Sequence, residues 1–249
     1  MMKSAVLISG ILLSVSLNVQ AATKTSTRPS SSALSNAADM LNLPSENRKL
    51  ALQGQGEKFY PSFIELAFNE SQPMSVRWRA LMAAAEAGKS KAMPDILKAG
   101  DHKLWYMRNA ALVAMNEVST ADAQKLAQKL IKDKALVVRS AAVSVLDKNL
   151  SSDQREMLWE ELNQKYNFKG KQSLWIRHQI VEMLSVKPVD HEMRVFAELL
   201  SDEDSRVHMP AVQGLEKLTG VRLGEGKMQQ QALVGLWRNY MKKESSRLN

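Results

Sequence analysis

The chain has 249 residues, 45% of them apolar, with 34 basic against 26 acidic side chains and no cysteine. That composition fits one or two globular domains and excludes a wholly disordered chain, because apolar content is high and the net charge of +8 is modest for the length. Without cysteine there is no disulfide, thiolate zinc site, cysteine nucleophile or lipid anchor through a terminal cysteine.

The first segment reads MMKSAVLISGILLSVSLNVQAA. Lys3 precedes a 13-residue, weakly interrupted apolar run from Ala5 to Leu17, and Val19-Gln20-Ala21 then places small residues where a signal peptidase reads. A spanning helix needs about 20 apolar residues, so this run is short for a membrane anchor. Residues 1–21 are therefore predicted to be a cleaved signal of bacterial type, cut after Ala21 or Ala22, with the mature protein periplasmic or secreted. Export would separate the chain from chromosomal DNA and ATP, which disfavours kinases, helicases and transcription factors. Residues 22–44 follow as an expected flexible tether, because TKTSTRPSSS at Thr23–Ser32 is too rich in hydroxyls to pack.

Beyond the tether the periodicity is helical, and the helices recur in similar pairs. Five segments align on a central Arg or His: Arg77, Arg108, Arg139, Arg177 and His208, spaced by 31, 31, 38 and 31 residues. The long interval marks an insertion near Asn167–Lys171, expected as a polar loop. One residue before the centre stands Val76, Met107, Val138, Ile176 or Val207; three after it, Ala80, Ala111, Ala142, Ile180 or Ala211. Seven after it stands Ala84, Met115, Leu146, Leu184 or Leu215. Offsets of −1, +3, +4 and +7 share one helical face, so each segment predicts an amphipathic helix packed on its neighbours. Partner helices are expected near Tyr60–Phe68, Met93–Ala99, Ala121–Lys132, Ser152–Lys165 and His191–Leu200. Pro61 and Pro94 suit first helical turns, where a missing N–H costs nothing.

This pattern resembles the HEAT-repeat family of armadillo-like α-solenoids. The family's units carry an Asp six residues before an Arg that follows an apolar residue, with a helix-opening Pro upstream. Asp133-Val138-Arg139 matches, and Asp202-Val207-His208 matches with His in place of Arg. Pro94 lies 14 residues before Arg108, as in the family, whereas Pro61 lies 16 before Arg77. Ser71, His102 and Lys171 replace the Asp elsewhere, so gaps in the family's Asp–Arg ladder are expected there. The resemblance implies an all-α, right-handed solenoid of about five helix pairs over residues 45–249, closed by a C-terminal capping helix that carries Trp237.

Sites of chemistry are sparse. The row Arg77, Arg108, Arg139, Arg177 and His208 has two readings: a basic stripe that captures acidic groups, or side chains spent on Asp and helix carbonyls of the adjacent repeat. The resemblance favours the structural reading. His102, His178, His191 and His208 form no i, i+4 ligand pair, and no GxSxG elbow or Gly-rich phosphate loop occurs, so no catalytic residue, metal or cofactor is expected. Tyr106 and Trp175 share one repeat position, two before the Arg, and are the candidate partner contacts, since exposed Tyr and Trp are typical interface anchors. Charge falls into blocks of +4 over residues 90–150, −4 over 151–204 and +5 over 205–249. A nucleic-acid binder wants one continuous positive track, whereas alternating zones suit protein partners. The sequence thus points to an exported, non-catalytic scaffold that binds a protein or peptide, with no nucleic acid and no stable membrane anchor. Two rivals come from within the resemblance: an enzyme or accessory of the HEAT-like phycobilin-lyase branch, and a nucleic-acid binder like the HEAT-like DNA glycosylases, which the signal disfavours.

Overall fold

The computed structural model describes residues 28–146, 149–224 and 228–248. The expected signal at 1–21 and the first residues of the expected tether lie outside the described residues. About three quarters of the described residues are helical, and the architecture is an all-α, HEAT-like solenoid of five helix pairs. The pairs are α3 (Gly56–Phe68) with α4 (Met74–Gly88), α5 (Met93–Gly100) with α6 (Trp105–Val118), and α7 (Thr120–Leu130) with α8 (Leu136–Val145). They continue with α9 (Ser152–Leu162) and α10 (Trp175–Ser185), then α11 (Met193–Leu199) and α12 (His208–Thr219). Within each pair the two helices pack together, and the second helices α4, α6, α8, α10 and α12 lie side by side in sequence order.

The repeat pattern explains that row. Ala80, Ala111, Ala142, Ile180 and Ala211 are fully buried, and so are Leu81, Leu112, Val143 and Val181 one position later. Small alanines let neighbouring helices approach closely, while the larger residues fill the space between layers. Each fully buried aliphatic side chain contributes about 1.5–3 kcal/mol relative to exposure, so every repeat adds its own share of core.

The solenoid starts earlier than the sequence suggests. Ser31–Leu41, inside the stretch expected as a flexible tether over 22–44, is helix α1, and Ser45–Leu52 is α2. Ser30 caps α1 by accepting from the Ala33 N–H at 3.2 Å. Leu34, Ala37, Ala38 and Leu41 then make an i, i+3, i+4, i+7 stripe that packs on α3 and α4, with Ala37 and Leu41 buried. Within the hydroxyl-rich segment Ser30 thus supplies a helix cap. In α2, Arg48 reaches the Glu86 carboxylate of α4 with two hydrogen bonds of 2.7 and 2.8 Å.

Pro94 does occupy the first turn of α5, but Pro61 does not open α3: it is the sixth residue, and Glu57 loses its i+4 donor. The helix begins early because Gly56 lies against the end of α4, where a Cβ would meet the Ala87 carbonyl oxygen at 2.6 Å. The insertion is also more ordered than a polar loop. Phe168–Lys169 pairs antiparallel with Gln172–Ser173, and Gly170, at φ +61°, supplies the left-handed residue of the two-residue turn. Helix α13 (Gln230–Leu248) closes the array against α11 and α12, with Trp237 fully buried.

Candidate interaction surface

The second helices begin with two rows of side chains. The inner row is Arg77, Arg108, Arg139 and Arg177, all buried, with His208 continuing it half-buried. Each guanidinium reaches forward to the next repeat. Arg108 forks onto Asp133 with bonds of 2.5 and 2.8 Å and also donates to the carbonyls of His102 and Lys103 at 2.8 and 3.0 Å. Arg177 forks onto Asp202 at 3.0 and 2.7 Å and donates to the Leu162 carbonyl at 3.1 Å. His208 Nε2 lies 2.9 Å from the Asp202 carbonyl oxygen. Burial alone would raise the Asp133 pKa, but the Arg108 bonds and the Ala135 N–H hold it below the ordinary carboxylate range. The Arg177 bonds do the same for Asp202.

Where the family Asp is absent the rungs are not missing but rebuilt. Arg77 donates to the Ala67 carbonyl at 3.0 Å and to the Tyr106 hydroxyl at 2.9 Å, with His102 Nε2 at 3.4 Å. Arg139 donates to Asn167 Oδ1 at 3.0 Å, to the Tyr166 carbonyl at 2.9 Å and to the Asp133 carbonyl at 2.8 Å. Asn167 itself is fully buried and donates to the Glu161 carbonyl at 2.6 Å. The expected interruptions at His102 and Lys171 therefore leave no gap in the row from Arg77 to Arg177. These five side chains are spent on stacking the repeats and present no open cationic stripe.

The outer row lies two or three residues closer to the helix starts. Met74, Trp105, Val137 and Trp175, each the first or second residue of α4, α6, α8 or α10, are 50, 43, 38 and 51% exposed. Trp175 is pinned across the helix boundary by its Nε1 donating to Ser140 Oγ of α8 at 3.2 Å. Trp105 stands edge-on to Tyr106, with ring centroids 6.0 Å apart. Met74, Trp78, Trp105 and Tyr106 line a groove of about 290 Å³ between α4 and α6, closed at one end by Trp78 Nε1 donating to Asn109 Oδ1 at 3.4 Å.

The two aromatic candidates thus part company. Trp175 lies open, whereas Tyr106 is half-buried, its hydroxyl and its ring both engaged by Arg77, whose guanidinium carbon is 5.6 Å from the ring centroid. Trp105, the exposed neighbour of Tyr106, stands three residues before its Arg, off the repeat position that Tyr106 and Trp175 share. One residue earlier, Met74 and Trp105 align directly.

Among the described residues no group of three or more His, Asp or Glu is close enough to hold a metal ion, and no helix is long and apolar enough to cross a membrane. No curated protein matches the chain. Residues 60–147, from within α3 to the end of α8, match the family model described as HEAT repeats. The match spans the first three helix pairs, and the same Arg-centred rungs run on beyond it into α12.

Proposed function

We propose that this chain is an exported, non-catalytic scaffold that binds a protein or peptide along the starts of α4, α6, α8 and α10. HEAT repeats commonly serve as protein-interaction scaffolds, which sets the class. The observation that carries the surface is the outer row: four exposed apolar side chains at the starts of α4, α6, α8 and α10, Met74 and Trp105 three residues before their Arg and Val137 and Trp175 two before. Single exposed apolar residues are ordinary, but four gathered at the same end of neighbouring packed helices form a patch that a partner covers. Trp105 and Trp175 are its anchors, because large rings lose little conformational freedom on binding. Export rests on the charge, length and small-residue pattern of residues 1–21.

A photocrosslinking residue at position 105 or 175, installed in the full chain in its native host, should give a discrete adduct. The same residue at Leu97, 47% exposed on α5, should give none. Equal adducts from all three positions, or none from any, would sink the surface. Terminal sequencing of the mature protein should begin at Ala22 or Thr23; a chain that keeps Met1 would sink the export reading.

A further inference from the structure

We infer that the outer row is built for an extended acidic peptide with an apolar side chain at every third position. This rests on the scaffold reading and specifies its partner.

The spacing comes first. Packed helices lie about 8–10 Å apart, so the row from Met74 through Trp105 and Val137 to Trp175 spans roughly 30 Å. An extended or polyproline-type chain advances about 3.1–3.4 Å per residue, and three residues therefore cover one helix spacing. A segment of about ten residues with apolar side chains at positions 1, 4, 7 and 10 would place one on each helix start. A helical ligand advances only about 1.5 Å per residue and presents its apolar stripe at three- and four-residue steps. It would meet neighbouring helix starts only once in six or seven residues.

Charge then fixes the residues between. The connections that lead into these helices, residues 69–73, 101–104, 131–135 and 163–174, carry Lys103, Lys132, Lys134, Lys165, Lys169 and Lys171 against Glu70, Asp101 and Asp133. All three carboxylates are already engaged: Glu70 with Lys103 at 2.8 Å, Asp101 with Lys129, and Asp133 with Arg108. Lys134, Lys165, Lys169 and Lys171 face no carboxylate within ion-pair distance among the described residues. Nothing on the helices offsets this. α4, α6, α8 and α10 have no acidic residue in the first turn and no side-chain cap, their cap positions being Pro73, Leu104, Ala135 and Leu174. The partner helices α3, α5, α7 and α9 instead open with Glu57, Asp95, Asp122 and Asp153. From α4 to α10 the edge that carries the exposed rings is thus positive in side chains and in helix dipoles, turning acidic only past Trp175, where Asp202, Glu203 and Asp204 lie beside Lys171, Arg177 and Arg206, and it complements carboxylates spaced between apolar anchors.

The test uses the full mature chain and the synthetic decapeptide Leu-Asp-Pro-Leu-Asp-Pro-Leu-Asp-Pro-Leu, in which Asp-Pro steps hold the extended form. Titration calorimetry at low salt should show it binding at least ten-fold tighter than two controls. One has the same composition with the leucines at irregular spacing, and the other has Lys in place of Asp. Trp105→Ala and Trp175→Ala should each weaken binding at least five-fold, and Lys134→Glu at least two-fold, with circular dichroism melts confirming that each variant is folded. Raising salt from 50 to 300 mM should weaken binding further. Equal affinity for the irregular or lysine peptide, equal affinity for poly-aspartate, or no binding of the matched peptide would each overturn the inference. If the peptide fails while crosslinks still form from positions 105 and 175, only the acidic three-residue pattern falls. If the crosslinks fail too, the scaffold surface falls with it.

Discussion

The inner and outer rows leave the same helix starts, two or three residues apart, and differ in every physical respect. Arg108 and its equivalents are long, charged side chains buried to the last donor, with carbonyls and carboxylates of two repeats closing around them. Met74, Trp105, Val137 and Trp175 are apolar side chains left in water. Burial of charge and exposure of apolar surface both run against the ordinary sorting of residues, so each needs its own explanation. For the inner row it is stacking: an Arg fork can satisfy several orphan carbonyls at once, which lets one repeat end and the next begin without trapped polar groups. For the outer row the intramolecular ties are slight, one hydrogen bond from Trp175 and one edge contact from Trp105, and the exposed remainder is left for a partner. The contrast makes a sharp demand. Changes to the inner row should act on stability, and changes to the outer row chiefly on binding.

The largest expected effect is at Arg108. Arg108→Ala strips the nearly buried Asp133 carboxylate of its fork and takes a donor from the carbonyls of His102 and Lys103. Removing one partner of a buried pair typically costs about 3–5 kcal/mol. At this chain length that is a fall of roughly 6–20 °C in Tm, read by circular dichroism or calorimetry. The rebuilt rung should be weaker but still structural: Asn167→Ala removes a neutral acceptor from Arg139, which keeps the carbonyls of Asp133 and Tyr166, and should cost about 1–3 kcal/mol. If Asn167→Ala were as damaging as Arg108→Ala, the insertion rather than the ladder would govern this junction.

The sequence carried the repeat very legibly, because apolar residues at −1, +3, +4 and +7 from each Arg obey a period that stacking enforces. The five pairs follow from it. The ladder was legible only where the chemistry was conventional. Asp133 and Asp202 stand 25 residues after the Arg they bind, and His102 stands at the same distance from Arg77. Asn167 stands 28 after Arg139, and the hairpin insertion hides the equivalence, because spacing alone puts Lys171 in the place of the partner. Helix α1 was missed for a different reason. A run of hydroxyls looks like a linker, yet Ser30 needs only one free oxygen to cap a helix whose apolar stripe starts at Leu34. Exposure was the least legible feature. Tyr106 and Trp175 share a repeat position, but whether a ring is buried depends on what the preceding repeat offers it, and only Arg77 had donors to spare for a tyrosine hydroxyl.

A middle-sized effect belongs to His102, the stand-in for the ladder Asp. Burial lowers its pKa, and the charges of Arg77 and Lys103 push it further down. The hydrogen bonding agrees: Leu104 N–H faces Nδ1 at 3.1 Å and Arg77 Nη2 faces Nε2 at 3.4 Å, so both ring nitrogens meet donors and a protonated ring satisfies neither. With the folded pKa below the unfolded value near 6.5, the unfolded chain takes up the proton first as pH falls. The contribution of neutral His102 is therefore present above about pH 6.5 and is lost progressively as pH falls toward the folded pKa. His102→Asn, which keeps an acceptor without titrating, should flatten the fall in stability between pH 7 and 5, measured by denaturant melts. An unchanged slope would show that His102 is not the group that titrates. The carboxylates Asp133 and Asp202, whose pKa values are held down, act only at lower pH and do not confuse this window.

The smallest stability effect should fall on the outer row, and it is the most discriminating. Trp175 is half in water and gives the fold one hydrogen bond, to Ser140, which already bonds Gln179 at 2.8 Å. Trp175→Ala therefore removes about half a ring of buried area but strands no buried polar atom, and should cost about 1–2 kcal/mol, well below Arg108→Ala. Trp105→Ala exposes one edge of Tyr106 but leaves the Arg77–Tyr106 bond in place, and should lie in the same range. A loss near that of Arg108→Ala in either variant would mean that the exposed rings are part of the scaffold's own architecture. Small melting shifts together with lost crosslinking would separate the two rows: one set of residues holds the repeats together, and the other, from the same turns of helix, is free to meet a partner.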